Sequence, residues 1–141
     1  MGDRSSIIIR QHYYAKDQGI EIYGHWAGTG IVNNLQKALS RSEGRWNDEE
    51  YFTRIVIQNI LDYIAAADSL TGCGIGIVEN YKKSGHGDLE YPPVIIDAVE
   101  RKVFIGNSIF YFRDIVDMDS EVVLQMLQGA MLGNDETNIE E

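Results

Sequence analysis

The stretch Ile20-Glu21-Ile22-Tyr23-Gly24-His25-Trp26-Ala27-Gly28-Thr29-Gly30-Ile31 decides the fold. It opens on the alternation of a half-buried strand, and beyond the glycines the apolar residues recur as Ile31, Leu35, Ala38 and Leu39, which is helical spacing. A chain that changes period across a glycine-rich junction makes a strand-to-helix turn. Side chains and free helix amides converge at such turns, which commonly hold ligands. Here the turn carries an adjacent imidazole and indole, His25 and Trp26.

Upstream, Ser6 to Arg10 is a β-branched run, and the polar Lys16-Asp17-Gln18-Gly19 turn joins it to Ile20–Tyr23, predicting a hairpin. Downstream, the first helix stops near the polar Ser40 to Gly44 connection. Asn47, followed three residues later by Glu50, reads as a capping box opening a second helix from Asp48 to about Ala66. That helix carries Tyr51, Phe52, Ile55, Val56, Ile60, Leu61, Tyr63 and Ile64, more than one apolar stripe needs. It is therefore expected to be covered on two sides, either centrally or by another subunit. Cys73 to Val78 reads as a buried strand, followed by a hydrophilic loop through His86. Val94 to Ala98 and Lys102 to Ile105 flank a Glu100-Arg101 turn, Ile109 to Phe112 is a further strand, and Glu121 to Leu132 a terminal helix. The order ββ, αα, then strands lacks βαβ alternation. It predicts an α+β fold: a mainly antiparallel sheet with two central helices and a C-terminal helix. Residues 1–133 are expected to form a single α+β domain and residues 134–141 an acidic flexible tail.

The 141 residues suffice for one compact core, and 44% apolar content excludes wholesale disorder. Twelve Lys and Arg against 22 Asp and Glu give a formal net charge of −10, which disfavours binding to a nucleic-acid duplex. The same acidity fits either a DNA-mimicking surface or plain solubility, and solubility is the simpler reading because several acidic residues sit at helix starts or in the tail. Cys73 is alone, so no intramolecular disulfide forms, which fits a reducing compartment. The apolar run Ile7-Ile8-Ile9 is too short for a signal core or membrane span, and the expected location is cytoplasmic, the host cytoplasm if the chain is phage-encoded.

Few residues carry possible chemistry. His25 could act as an acid or base, or stack on a nucleotide base with Trp26 as the platform; its structural alternative is a strand-end histidine. Arg4 and Arg10 flank the first strand, and Arg54 lies on the second helix with Arg45 just before it, so several guanidiniums could face one phosphate; surface solubility is the competing reading. Gly24-x-x-x-Gly28-x-Gly30 matches neither a Walker loop nor a dinucleotide fingerprint. His12, His25 and His86 show no zinc spacing, so neither metal nor cofactor is expected. Gly85-His86-Gly87-Asp88 reads as a mobile turn. No catalytic constellation is assignable by spacing, leaving enzyme status open, with His25 the catalytic candidate if there is one.

The run Gly2-Asp3-Arg4-Ser5 leading into Ile7-Ile8-Ile9, the segment Ile22-Tyr23-x-His25-Trp26-x-Gly28, Leu35 to Leu39, and Arg54-Ile55 together resemble a family of small uncharacterised bacteriophage proteins. Those proteins open with a GDRSN-I-V-I run and continue to a Y-x-H-W-x-G segment. Thr71-Gly72-x-Gly74-Ile75 and Pro93-Val94-Ile95-Ile96-Asp97 are similar to its later strands, so the resemblance covers roughly residues 1–106. Ser6 stands where that family usually has Asn, the Tyr81 to Glu90 loop is long, and the segment after Ile109 departs from the pattern.

The resemblance implies a phage accessory role outside the virion. Small phage proteins often counter host defence, and one physical route is to hold a nucleotide immune signal without turnover in an oligomeric pocket. Tyr23, His25 and Trp26 would stack base or ribose, and Arg4, Arg10 or Arg54 would grip phosphate. The second helix would supply the homo-oligomer interface. Two other readings stand beside this one: a nucleotide phosphodiesterase using His25 as acid or base, and an acidic inhibitor that binds a basic host factor.

Overall fold

A computed structural model describes residues 4–11, 16–25, 30–67, 73–87, 89 and 91–129. The fold is α+β. Strands β1 (Arg4–Arg10), β2 (Gly19–His25), β3 (Cys73–Val78), β4 (Val94–Asp97), β5 (Lys102–Ile105) and β6 (Ser108–Tyr111) form a six-stranded sheet in the order β3-β2-β1-β4-β5-β6. All neighbours are antiparallel except the central pair β1 and β4, which run parallel with Ile8 opposite Ile95. Central β1 is buried on both faces. This is why Ile7-Ile8-Ile9 reads as a continuous apolar run rather than an alternation.

Helices α1 (Gly30–Arg41), α2 (Glu49–Ala67) and α3 (Phe112–Asp117), with α4 over residues 120–129, accompany the sheet. Residues Ile7, Ile9, Ile22, Val94, Ile96, Val103 and Ile105 of the sheet join Leu35 and Leu39 of α1, Phe52 and Val56 of α2, and Ile115 of α3 in one apolar core. The Phe52 and Phe112 rings stack with centroids 5.0 Å apart, and the Trp46 indole donates to the Leu39 carbonyl at 3.0 Å. The Gln36 side-chain amide donates to the carbonyls of Ile115 (2.9 Å) and Met118 (2.8 Å), tying the end of α3 to α1. A polar side chain thus satisfies orphan carbonyls at a helix end.

Several local expectations change. The cap of α2 is Asp48, not Asn47: its Oδ1 accepts the Tyr51 N–H at 3.4 Å, so the helix begins one residue later. Phe52, Val56 and Ile60 make one buried stripe along α2, Ile55, Ile57 and Leu61 are half-buried shoulders, and Tyr51 is exposed. Strand β3 is an edge, with Ile75 and Ile77 on the helix side of the sheet yet 55% and 70% exposed. Its short apolar sequence fits an interior or an edge strand equally well. The predicted final strand is shifted to Ser108–Tyr111, because Phe112 turns inward to start α3, a helix not anticipated. Residues 131–141, including the expected tail, lie outside the described residues. Among the described residues no helix is long and apolar enough to cross a membrane.

Candidate functional site

The opposite face of the sheet carries a different chemistry. Strand alternation and register set Arg4, Ser6, Ile8 and Arg10 of β1 beside Glu21 and Tyr23 of β2 and Ile95 and Asp97 of β4. Instead of a helix, the 79–87 segment crosses the middle of this face as a strap. Tyr81 is its anchor, buried against Ile8 and Ile95, with its N–H donating to the Asp17 carbonyl at 2.6 Å. Gly19 is required beneath it, since a Cβ there would come within 2.8 Å of Tyr81 Cβ and 2.9 Å of Ile8 Cγ2.

Glu21 is the polar latch of the strap. Only 2% exposed, its carboxylate accepts from Ser6 Oγ at 2.5 Å, from Ser84 Oγ, and from the Gly85 N–H at 2.9 Å. Burial alone would raise its pKa, but the hydrogen bonds from Ser6, Ser84 and Gly85, with the charge of His86 adding, hold it below the ordinary glutamate value. The Ser84 hydroxyl in turn accepts the His86 N–H at 2.9 Å. Both serine hydroxyls therefore donate to one carboxylate, an arrangement that ties the strap to the sheet.

One residue beyond the latch, the His86 imidazole lies flat on the Tyr23 ring, centroids 3.8 Å apart and planes 9° from parallel. Tyr23 is flanked in register by Ser6 on β1 and Gly74 on β3, both small. A Cβ at Gly74 would meet nothing within 4 Å, so space is open beside the ring pair. Near it, Val78, Glu79, Asn80, Lys83, Ser84 and Gly85 line a recess of about 330 Å³, within the usual range for ligand pockets. A smaller cleft of about 190 Å³, bounded by Ile9, Gln11, Ile20 and Ile77 among others, has no charged residue among the described residues that line it.

Of the residues singled out in the sequence, Arg4, Arg10 and Tyr23 share this face, and the backbone of His25 pairs with Arg4. The side chain of His25, and Trp26 with the glycine junction to residue 29, lie outside the described residues. Arg10 is engaged internally. Its guanidinium donates to buried Asp97 at 3.1 Å and lies 5.0 Å from the Tyr81 ring centroid. Burial would lower its pKa, but the hydrogen bond and charge of Asp97, with Tyr81 and Glu100, outweigh this and hold the value above the ordinary one. Asp97 Oδ1 also accepts the Val99 and Glu100 N–H groups, so the pair clamps the β4–β5 turn. Arg54 stands apart on α2, on the helix side, exposed and donating to Gln58. Burial pushes the pKa of the half-buried Cys73 thiol up.

Sequence reasoning missed Glu21, Ser6 and Ser84, and took the His86 loop for a mobile turn. The available signal was a glutamate at the centre of an apolar strand, a position that demands partners. The chain matches no protein-family model, no curated protein and no solved structure.

Proposed function

We propose that this chain binds and sequesters a small nucleotide-derived signal without turning it over, in the phage anti-defence setting that its sequence resemblance implies. The carrying observation is the Tyr23–His86 ring pair standing beside open space at Gly74. A planar base stacks on such a pair at low entropic cost because the rings are already held. Arg4, on the same face, and Lys83, in the adjoining recess, supply the positive charge that a phosphate requires. Trp26, three residues beyond Tyr23 in sequence, extends the aromatic character of the segment. Exposed Ile75 and Ile77 on the β3 edge support self-association of the binder.

The test is to incubate the purified protein with cyclic and linear nucleotides, filter, denature, and identify by mass spectrometry what is released. Intact nucleotide is expected from the wild type. Gly74→Leu fills the open space without displacing a neighbour and should abolish retention, and Tyr23→Ala should weaken it by about 1–3 kcal/mol. Release of a cleaved nucleotide would replace sequestration by hydrolysis, and retention of nothing would refute both.

A further inference from the structure

On the far side of the strap the same sheet face ends in an exposed aromatic and apolar patch. Strands β5 and β6 set Phe104 opposite Ile109 and Lys102 opposite Tyr111, all four on the strap face. Tyr111 is 62% exposed and Ile109 58%. Phe104 and Tyr111 are diagonal neighbours, which sets their attachment points about 7–8 Å apart. Cations alternate with these rings. Lys82 Nζ lies 5.5 Å from the Phe104 centroid, and Lys102 Nζ lies 5.8 Å from that of Tyr111. Arg101 sits in the adjoining turn, and among the described residues the carboxylates near the patch include Glu100, 3.4 Å from Lys102, Asp114, whose Oδ2 accepts the Tyr111 N–H at 3.3 Å, and Asp97, already taken by Arg10.

We propose that this patch binds single-stranded nucleic acid, with Phe104 and Tyr111 each stacking one unpaired base and Lys82 and Lys102 contacting the flanking phosphates. Lys82, Lys102 and Arg101 gathered beside the rings on a chain of net charge −10 give a phosphate a local attraction, and the exposed Tyr111 and half-buried Phe104 rings on an open sheet face suit bases that are not stacked within a duplex. A duplex hides its base faces and brings a charge density that the acidic remainder of the surface repels. A second copy of this chain suits the patch less well, because a two-fold contact across it would oppose like lysines. The inference stands independently of the Tyr23–His86 site.

Fluorescence anisotropy with labelled eight-nucleotide dT and U oligomers, and with a labelled duplex, tests it. Single strands should bind, with log affinity falling against log salt at a slope of about −1 to −2 for two contacted phosphates. The dT and U arms distinguish DNA from RNA. Tyr111→Ala, at an exposed position, should weaken binding by roughly 5- to 150-fold, the loss of one base stack. Phe104→Leu keeps the packing against Ile8 and Ile95 and should lose the second stack, and Lys102→Glu should flatten the salt dependence. Thermal melts of each variant confirm folding. No single-strand binding at low salt, equal binding of the duplex, or an affinity unmoved by Tyr111→Ala would each overturn the proposal. Sedimentation showing self-association that Tyr111→Ala abolishes would assign the face to a second copy and overturn it too.

Discussion

The two faces of the sheet are built from the same strands and held by opposite means. On the helix face, Ile7, Ile9, Ile22, Ile96 and Val103 are wholly buried under α1 and its neighbours. The other face alternates Ser6, Ile8 and Arg10 along β1, and beyond one small apolar cluster under Tyr81 the strap is held by hydrogen bonds converging on Glu21. Apolar burial is non-directional and tolerates repacking, whereas a buried carboxylate specifies one arrangement and is costly when any partner is lost. The helix face accordingly supplies stability, and the strap face supplies a surface of defined geometry.

Mutations can break or sharpen that contrast. The largest effect is expected from Phe52→Ala, which removes a fully buried ring stacked on Phe112; denaturant unfolding should show a loss of about 4 kcal/mol in one cooperative transition. Glu21→Ala should cost about 3 kcal/mol, because Ser6, Ser84 and the Gly85 N–H lose their acceptor, and limited proteolysis should then cut first within 79–87. Gly19→Ala should cost about 2 kcal/mol by overpacking against Tyr81 and Ile8, and faster hydrogen exchange of the Tyr81 amide would place the damage in the strap.

The smallest effect is that of pH. Because the folded-state pKa of Glu21 is depressed, its contribution is fully present above the ordinary value of 4.5 and is lost as pH falls through the folded-state value. The stability difference between wild type and Glu21→Gln, read by denaturant unfolding at a series of pH values, should therefore shrink as pH falls. Equal pH dependence in the two proteins would show that the latch is not ionised.

The helix face was largely legible in the sequence, because period 2 and period 3.6 are written in apolar residues: Ile31, Leu35 and Leu39 announced α1, and the Glu100-Arg101 turn announced the β4–β5 pair. The strap face was not. Its contacts join residues far apart in sequence, Ser6 to Glu21 to Ser84, and no local pattern encodes such a convergence. Hydrophilic, glycine-containing composition makes Gly85-His86-Gly87-Asp88 read as a mobile turn, although the Gly85 N–H is held by Glu21 and the His86 ring by Tyr23. The arginine reading was compositional as well: Arg10 faces the strap but is bound to Asp97, and Arg54 belongs to the other side of the sheet.

The claim that the Glu21 latch is needed, beside the Tyr81 anchor, to hold the strap is tested most directly by amide hydrogen exchange on the wild type and Glu21→Ala. The account predicts that the amides of 79–87 lose protection in the variant while those of α1 and β4 keep theirs. Unchanged protection across 79–87, or a uniform loss over the whole sheet, would contradict it.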